Sequence, residues 1–553
     1  MRTAFCFLLL ALLTACEGSI LGDRPELPLQ IELPVTPLMP PVEPVEVLPD
    51  FVPARLRPRL LLAAQYKNAV ADLFGDAAAA AVTAPRDVPV NGLTAIGATQ
   101  LAISSSVVEA YEVNSYLAAK AALTARRSAL ITCVPSSQTD ATCMRQLAQR
   151  FVPRAFRRPA TEVELTRWTQ LGVTVATAYA EFDRGVEFML AGLLQSPAFL
   201  YIDEVGSPDS ADAARRNLTP WELASRLSFF LTNAPPDDEL LAAAANGALG
   251  DEAGVRLQAR RLLQQPRARR AMTQLFDEIL DLSHLDHLAK DAQTFPGFQS
   301  VLGASMREET QRTLLDLGFD RPTDFRNIFT ARTTFVDAAL AQHYGMAPVT
   351  GWTTVQLPAE RAGLFTQASF LSLQAHPSAN SPTHRGRFIR ERLLCSTIPA
   401  PPPEVSTTLP APPPNMPRTL RQRVELHMQN ASCSGCHQMM DPIGFAFEGF
   451  DAIGRKQVLD NGLPINSAGK LDDRGTFTDA AGLMNVMHED PRVMSCLTRV
   501  VFRQGVGHVD LRSEARPLRA AEEAFIASGY RYQSLLEALV ASEAFRTGTL
   551  ENP

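Results

Sequence analysis

Apolar residues recur at helical spacing over most of this chain. Leu60, Leu61, Leu62, Tyr66, Val70, Leu73 and Phe74 share one face of a first helix, and Gly75 stops it. An alanine-rich stretch over 107–129 continues the pattern, followed by periodic segments over 143–156, 161–179 and 182–195. At 219–231 the order Thr219-Pro220-Trp221-Glu222 predicts a hydroxyl cap, a proline in the first helical position and an acid in the first turn. Pro235-Pro236-Asp237-Asp238 opens a further helix, and 255–263, 268–282, 302–317 and 490–545 extend the texture. Alternating β-branched runs are scarce. Glycine, asparagine and aspartate between 454 and 477 predict one or two small hairpins. The expected fold class is mainly α, a multi-module helical body with minor β-hairpins. Residues 192–199 and 538–545 faintly echo each other, each a helix ending in a Ser-x-Ala-Phe corner.

Two segments fall outside that texture. Residues 17–53 hold nine prolines and little aromatic content, which predicts an extended spacer rather than a core. A second proline-rich stretch spans 399–417. The N-terminus reads as an address: Arg2, an apolar run over 4–13, then Leu13-Thr14-Ala15-Cys16, a lipobox in which Cys16 is lipidated. An ordinary cleaved signal peptide is the competing reading. Glu17 after the cysteine favours an outer-membrane lipoprotein, on its periplasmic or surface face. The lipid anchor is the expected membrane attachment, since no other apolar run is long enough to span.

The length of 553 residues predicts several modules. Their expected bounds are 54–128, 129–205, 206–346, 347–456 and 457–548, after a leader at 1–16 and the tether at 17–53. A net charge of −7 without a basic stripe argues against nucleic acid as a partner. Outside the leader and Cys16, six cysteines remain, and an exported chain meets an oxidising compartment. Cys133 and Cys143 bracket a short loop and are expected to pair. Cys395 and Cys496 form the second expected disulfide.

The remaining two cysteines stand in Cys433-Ser434-Gly435-Cys436-His437. Covalent haem c needs two thioethers from cysteines one helical turn apart and an imidazole directly after them on the iron. Cys433, Cys436 and His437 meet that requirement, with His437 as the iron ligand. Asp441-Pro442 is expected to end the turn and Gly444 to permit a sharp exit. The sixth ligand is open among Met484, Met487, Met494, His427 and His488, with His427 on the preceding helix favoured, and a five-coordinate iron is equally open. Met439 and Met440 lie too close to His437 to reach the opposite face. Three other readings compete: a redox Cys-x-x-Cys, a zinc site completed by Cys395 and Cys496, and a structural disulfide. No nucleophile elbow, phosphate loop or His-Glu-x-x-His motif occurs, and no catalytic residue is assigned. The basic run 153–159 reads better as a helix end than as an anion site. His376 and His384 flank Ser381-Pro382 and would line a polar pocket or cap a turn.

The order of motifs resembles a multidomain cytochrome-like family of unknown function found in planctomycetes and myxobacteria. The resemblance covers about 55–546 in five modules. The first carries Gln65-Tyr66-Lys67-Asn68 and Asp72-Leu73-Phe74-Gly75. The second carries Arg154-Ala155-Phe156-Arg157-Arg158-Pro159 and Ser196-Pro197-Ala198-Phe199. The third carries Glu222-Leu223-Ala224-Ser225-Arg226 and ends near His343-Tyr344-Gly345. The fourth carries Ser381-Pro382-Thr383-His384-Arg385-Gly386, the cysteine motif and Met440-Asp441-Pro442-Ile443-Gly444-Phe445. The fifth runs to Ser542-Glu543-Ala544-Phe545. The family often has Tyr-Ala-Leu-Gly-Arg in its last module, where this chain has residues 502–508 ending in Gly507-His508. The resemblance implies export, a helical body and one covalent haem in a small cytochrome c-like module. The expected function is electron transfer or haem redox chemistry, with a redox partner protein. The alternatives are a surface binding or scaffold lipoprotein with a structural cysteine motif, and a hydrolase whose acids and histidine converge away from Cys436.

Overall fold

The computed structural model describes residues 47–550, apart from 213, 400–417 and 430. The leader with Cys16, most of the tether and most of the second proline-rich segment therefore lie outside the described residues. The body is mainly α-helical, with short antiparallel strand pairs. Among the described residues no helix is long and apolar enough to cross a membrane.

A first core gathers around the helices Ala63–Phe74, Ser105–Leu130, Ala141–Phe156, Glu162–Tyr179 and Phe182–Gln195. Their starts follow from side-chain caps. Ser104 accepts from Val107 N–H, Asp140 from Thr142 and Cys143, and Thr161 and Glu164 form a reciprocal capping box. Arg157 and Ala180 end two of these helices in the left-handed conformation. Tyr66, Phe74, Phe151 and Phe199 are buried there and meet neighbouring rings edge-on. A disulfide joins Cys133 to Cys143 at the edge of this bundle.

A larger core runs from Leu56 to Phe545 and includes the helices Pro220–Thr232, Pro266–Ile279, Val301–Leu315, Pro491–Val506 and Tyr532–Ala541. Its two ends meet. Strand Thr547–Thr549 pairs antiparallel with Arg215–Asn217, and Leu56 N–H donates to Thr549 O at 2.8 Å. The 192–199 and 538–545 echo is a shared corner. Each long helix stops at a serine, Ser196 or Ser542, which opens a four-residue helix, Pro197–Leu200 or Glu543–Arg546, that leads into a strand. Two hairpins occupy the glycine-rich region. Leu459–Asp460 pairs with Leu463–Pro464 across Asn461-Gly462, both at positive φ, the twist-matched turn such a pair favours. Gly469–Leu471 pairs with Gly475–Phe477.

One local expectation is corrected. Pro442 does not end its turn; it lies inside the helix Ala431–Gly444. Proline so near a helix end costs only a donor in the last turn, and the chain then tightens into the 3-10 turn Phe445–Phe447. Gly444 itself keeps helical φ, so it serves packing rather than a sharp exit.

Candidate haem-binding helix

The helix Ala431–Gly444 crosses the helix Pro382–Phe388 at backbone contact. A Cβ on Gly386 would overlap the Met440 carbonyl, and one on Gly444 the Pro382 carbonyl. Two glycines thus set how closely the helices lie. Arg385, fully buried, sends its guanidinium to four backbone carbonyls: Phe447 at 2.9 Å, Phe450 at 3.3 Å, Leu371 at 3.0 Å and Asp451 at 3.1 Å. Arg390 donates to Met439 O at 2.8 Å and pairs with Asp472, which Arg492 also holds. Arg390 thus ties this helix directly, and Arg385 ties its neighbour to the chain that follows it.

On this helix Cys433 is buried and Cys436 partly exposed, its sulfur 3.9 Å from Pro399 O. His437 follows directly. Its Nδ1 lies 2.6 Å from Asp441 Oδ2, one turn on, and Asp441 Oδ1 accepts from Thr383 Oγ1 at 2.8 Å. The Asp441 side chain is wholly buried. Its hydrogen bond and charge raise the His437 imidazole above the usual histidine range, against the opposing effect of burial. With Nδ1 engaged, Nε2 is the nitrogen left for a ligand bond. His427, at the end of the helix Leu420–His427, approaches His437 edge-on with ring centroids 5.2 Å apart.

The donor set fits haem c. Two sulfurs one turn apart and the adjacent imidazole share one helix, and a carboxylate fixes that imidazole's tautomer. Cys433 and Cys436 would hold the vinyl carbons, and His437 Nε2 the iron. The competing zinc reading loses its second ligand pair, because Cys395 and Cys496 are joined as a disulfide. Among the described residues no group of three or more His, Cys, Asp or Glu is arranged to hold a metal ion.

Other residues singled out from the sequence go elsewhere. Met484, Met487 and Met494 are buried in the large core. His488 bonds Glu489 at 2.7 Å. His376 and His384 stand together, ring centroids 4.8 Å apart, with His384 lowered by burial. The basic run 153–159 is structural: Arg154 pairs with Asp238, Arg158 with Glu164, and Arg157 is buried against four carbonyls. The stretch 445–450, expected with the second proline-rich segment to shield the haem edge, packs into the core, with Phe445 under Arg421, Phe447 against Phe370 and Phe450 under Arg361.

Sequence reasoning missed Asp441 and Thr383. The spacing of His437 and Asp441 carried the signal, because residues four apart share a helix face, but Pro442 masked it by suggesting that the helix had ended.

Four modules of unknown function co-occur in this chain. The family models that match are each described as a protein of unknown function: DUF1595 over 143–204, DUF1592 over 218–346, DUF1588 over 361–460 and DUF1585 over 473–545. They cover four of the five segments recognised by motif. The DUF1588 match contains the whole Ala431–Gly444 helix, and with it Cys433, Cys436 and His437. The helix Pro382–Phe388, with Thr383 and Arg385, falls within the same match. No curated protein and no solved structure matches the chain.

Proposed function

We propose that this chain is an exported, lipid-anchored haem c protein that transfers electrons, of the planctomycete and myxobacterial cytochrome-like kind. The observation that carries the reading is the placement of Cys433, Cys436 and His437 on one helix with His437 Nδ1 held by the buried Asp441. Disulfides at Cys133–Cys143 and Cys395–Cys496 support export, since such bonds persist in oxidising compartments. Cys16 would carry the lipid that attaches the chain to the outer membrane.

Haem c supplies a one-electron carrier of tunable potential. The chain's residues do the rest. Asp441, held by Thr383, orients the His437 ring and strengthens it as a donor. His427, whose ring stands against that of His437, is the second imidazole beside it. Arg385 and Arg390 hold the two crossed helices so that this geometry does not drift.

The test is expression of the mature chain in a host competent in haem attachment. We expect one covalent porphyrin by intact mass, a denaturing pyridine spectrum of c type, and loss of both in Cys433→Ala. Colourless, porphyrin-free protein from that host would sink the proposal and leave the scaffold reading.

A further inference from the structure

A pair of histidines stands beside the helix Pro382–Phe388. His376 lies in the turn between the helices Ala368–Leu373 and Pro382–Phe388, and His384 in the first turn of the second. The backbone that carries them is pinned. Lys290 Nζ donates to three carbonyls, Ser372 O at 2.9 Å, His376 O at 3.2 Å and Ala375 O at 3.5 Å. Asp291 N–H donates to Pro377 O at 3.1 Å, and Asn380 Nδ2 to Phe450 O at 2.8 Å. Ser381 Oγ caps the helix by accepting from His384 N–H at 3.2 Å. Both side chains are thus presented from a fixed main chain.

The two imidazoles stand against each other, with ring centroids 4.8 Å apart and planes tilted by 54°. No ring nitrogen of either hydrogen-bonds to a described residue. Two imidazoles on one ion at about 2.0–2.1 Å, at mutual angles of about 90–110°, bring their ring centres to roughly 4.5–5.2 Å of each other. The observed spacing lies inside that range. Metal ions take the neutral imidazole, and partial burial pulls His384 below the usual histidine range, with the charges of His376 and Arg387 acting the same way. Arg387 is offset by Glu391 at 3.0 Å, and Arg385 is engaged on backbone carbonyls. Lys290 turns its ammonium to the three carbonyl oxygens, and burial lowers it to about 8. No third His, Cys, Asp or Glu among the described residues joins the pair, so the chain supplies two ligands and leaves the other positions to water.

We propose that His376 and His384 form a two-imidazole site for a divalent late transition metal, zinc or copper, with its remaining positions open to water or an outside ligand. Imidazole donors without carboxylates select such ions over magnesium and calcium. The proposal does not depend on haem.

The test is labelling of the intact protein with diethyl pyrocarbonate, which acylates free imidazole nitrogens, during titration with zinc near neutral pH. Peptide mass spectrometry reads each histidine separately, so zinc held at His427, His437 or the cysteines is not mistaken for this site. The labelling rates of His376 and His384 should fall together over one zinc range, by at least about fivefold, while magnesium leaves both unchanged. His384→Ala should raise the zinc needed to protect His376 by at least about tenfold, because the second imidazole binds intramolecularly. His376→Ala should do the same for His384. Both positions reach solvent, so thermal unfolding should stay near that of the parent. No protection by zinc overturns the proposal. So does protection of His376 at parental zinc levels in His384→Ala, which would leave two separate imidazoles. Equal protection by magnesium overturns the choice of metal class.

Discussion

In the N-terminal bundle, Tyr66, Phe74, Phe151 and Phe199 fill the interior ring against ring, and its helix starts are capped at the surface by Ser104, Asp140 and Thr161. Beneath the Cys433–His437 helix, Arg385, Arg390, Asp441 and Glu448 are all buried, and the helices touch through glycines. The first arrangement is non-directional: apolar volume matters more than exact geometry. The second is directional, since its polar groups are held at set angles, as Asp441 is between His437 and Thr383 and Arg390 between Met439 O and Asp472. A region whose helix positions must not drift is the one built from directional bonds.

The comparison can be broken most severely at its two disulfides. Loop closure predicts about 4.7 kcal/mol for a loop of Cys395–Cys496 length and about 2.7 kcal/mol for one of Cys133–Cys143 length. Replacing each pair with serines should therefore lower the urea midpoint far more for the 395/496 pair. Equal shifts would show that the two regions gain alike from their staples. Next comes Arg385→Met, which removes one donor from four backbone carbonyls, three of which keep another N–H, and should cost on the order of 3 kcal/mol. A volume-conserving change in the bundle, Met189→Leu, should cost less than about 1.5 kcal/mol. Similar losses for the two would erase the distinction.

A smaller effect sharpens it through pH. Burial pushes Glu448 up to about 7, with Arg385 opposing only in part. The fold thus prefers the protonated acid. That preference is fully present below about pH 4.5 and is lost as pH rises through about 7. Glu448→Gln should gain on the parent between pH 5 and pH 8, by on the order of 2 kcal/mol at the upper end. A pH-independent difference in thermal unfolding would count against the buried, proton-bearing state. The smallest expected effect is Asp441→Asn. Replacing a charge-assisted bond with a neutral one weakens His437 as a donor, and the midpoint of the haem-loaded protein should rise by about 59 mV in a spectroelectrochemical titration. An unchanged midpoint would mean that Asp441 only positions the ring.

Much of this was legible along the chain, for physical reasons that also set the limit. Helices such as Glu162–Tyr179 announced themselves by apolar period and by Thr161 and Glu164, because those signals are local. The cysteine motif was legible because its spacing lies within five residues, and the structure puts Cys433, Cys436 and His437 on one helix. Arg385 and Glu448 were not, since ordinary charged residues become buried only through partners far along the chain. Gly444 suggested a sharp exit, yet it and Gly386 permit helix contact, a role visible only once both helices are placed.

The bond between Cys395 and Cys496 spans 101 positions, and the whole His427–Asp441 region lies inside that span. A protease that cuts once anywhere between them therefore releases nothing: both products stay tied through sulfur. On a gel such nicked material runs as a single species until reductant is added, so integrity of the backbone there has to be judged under reducing conditions.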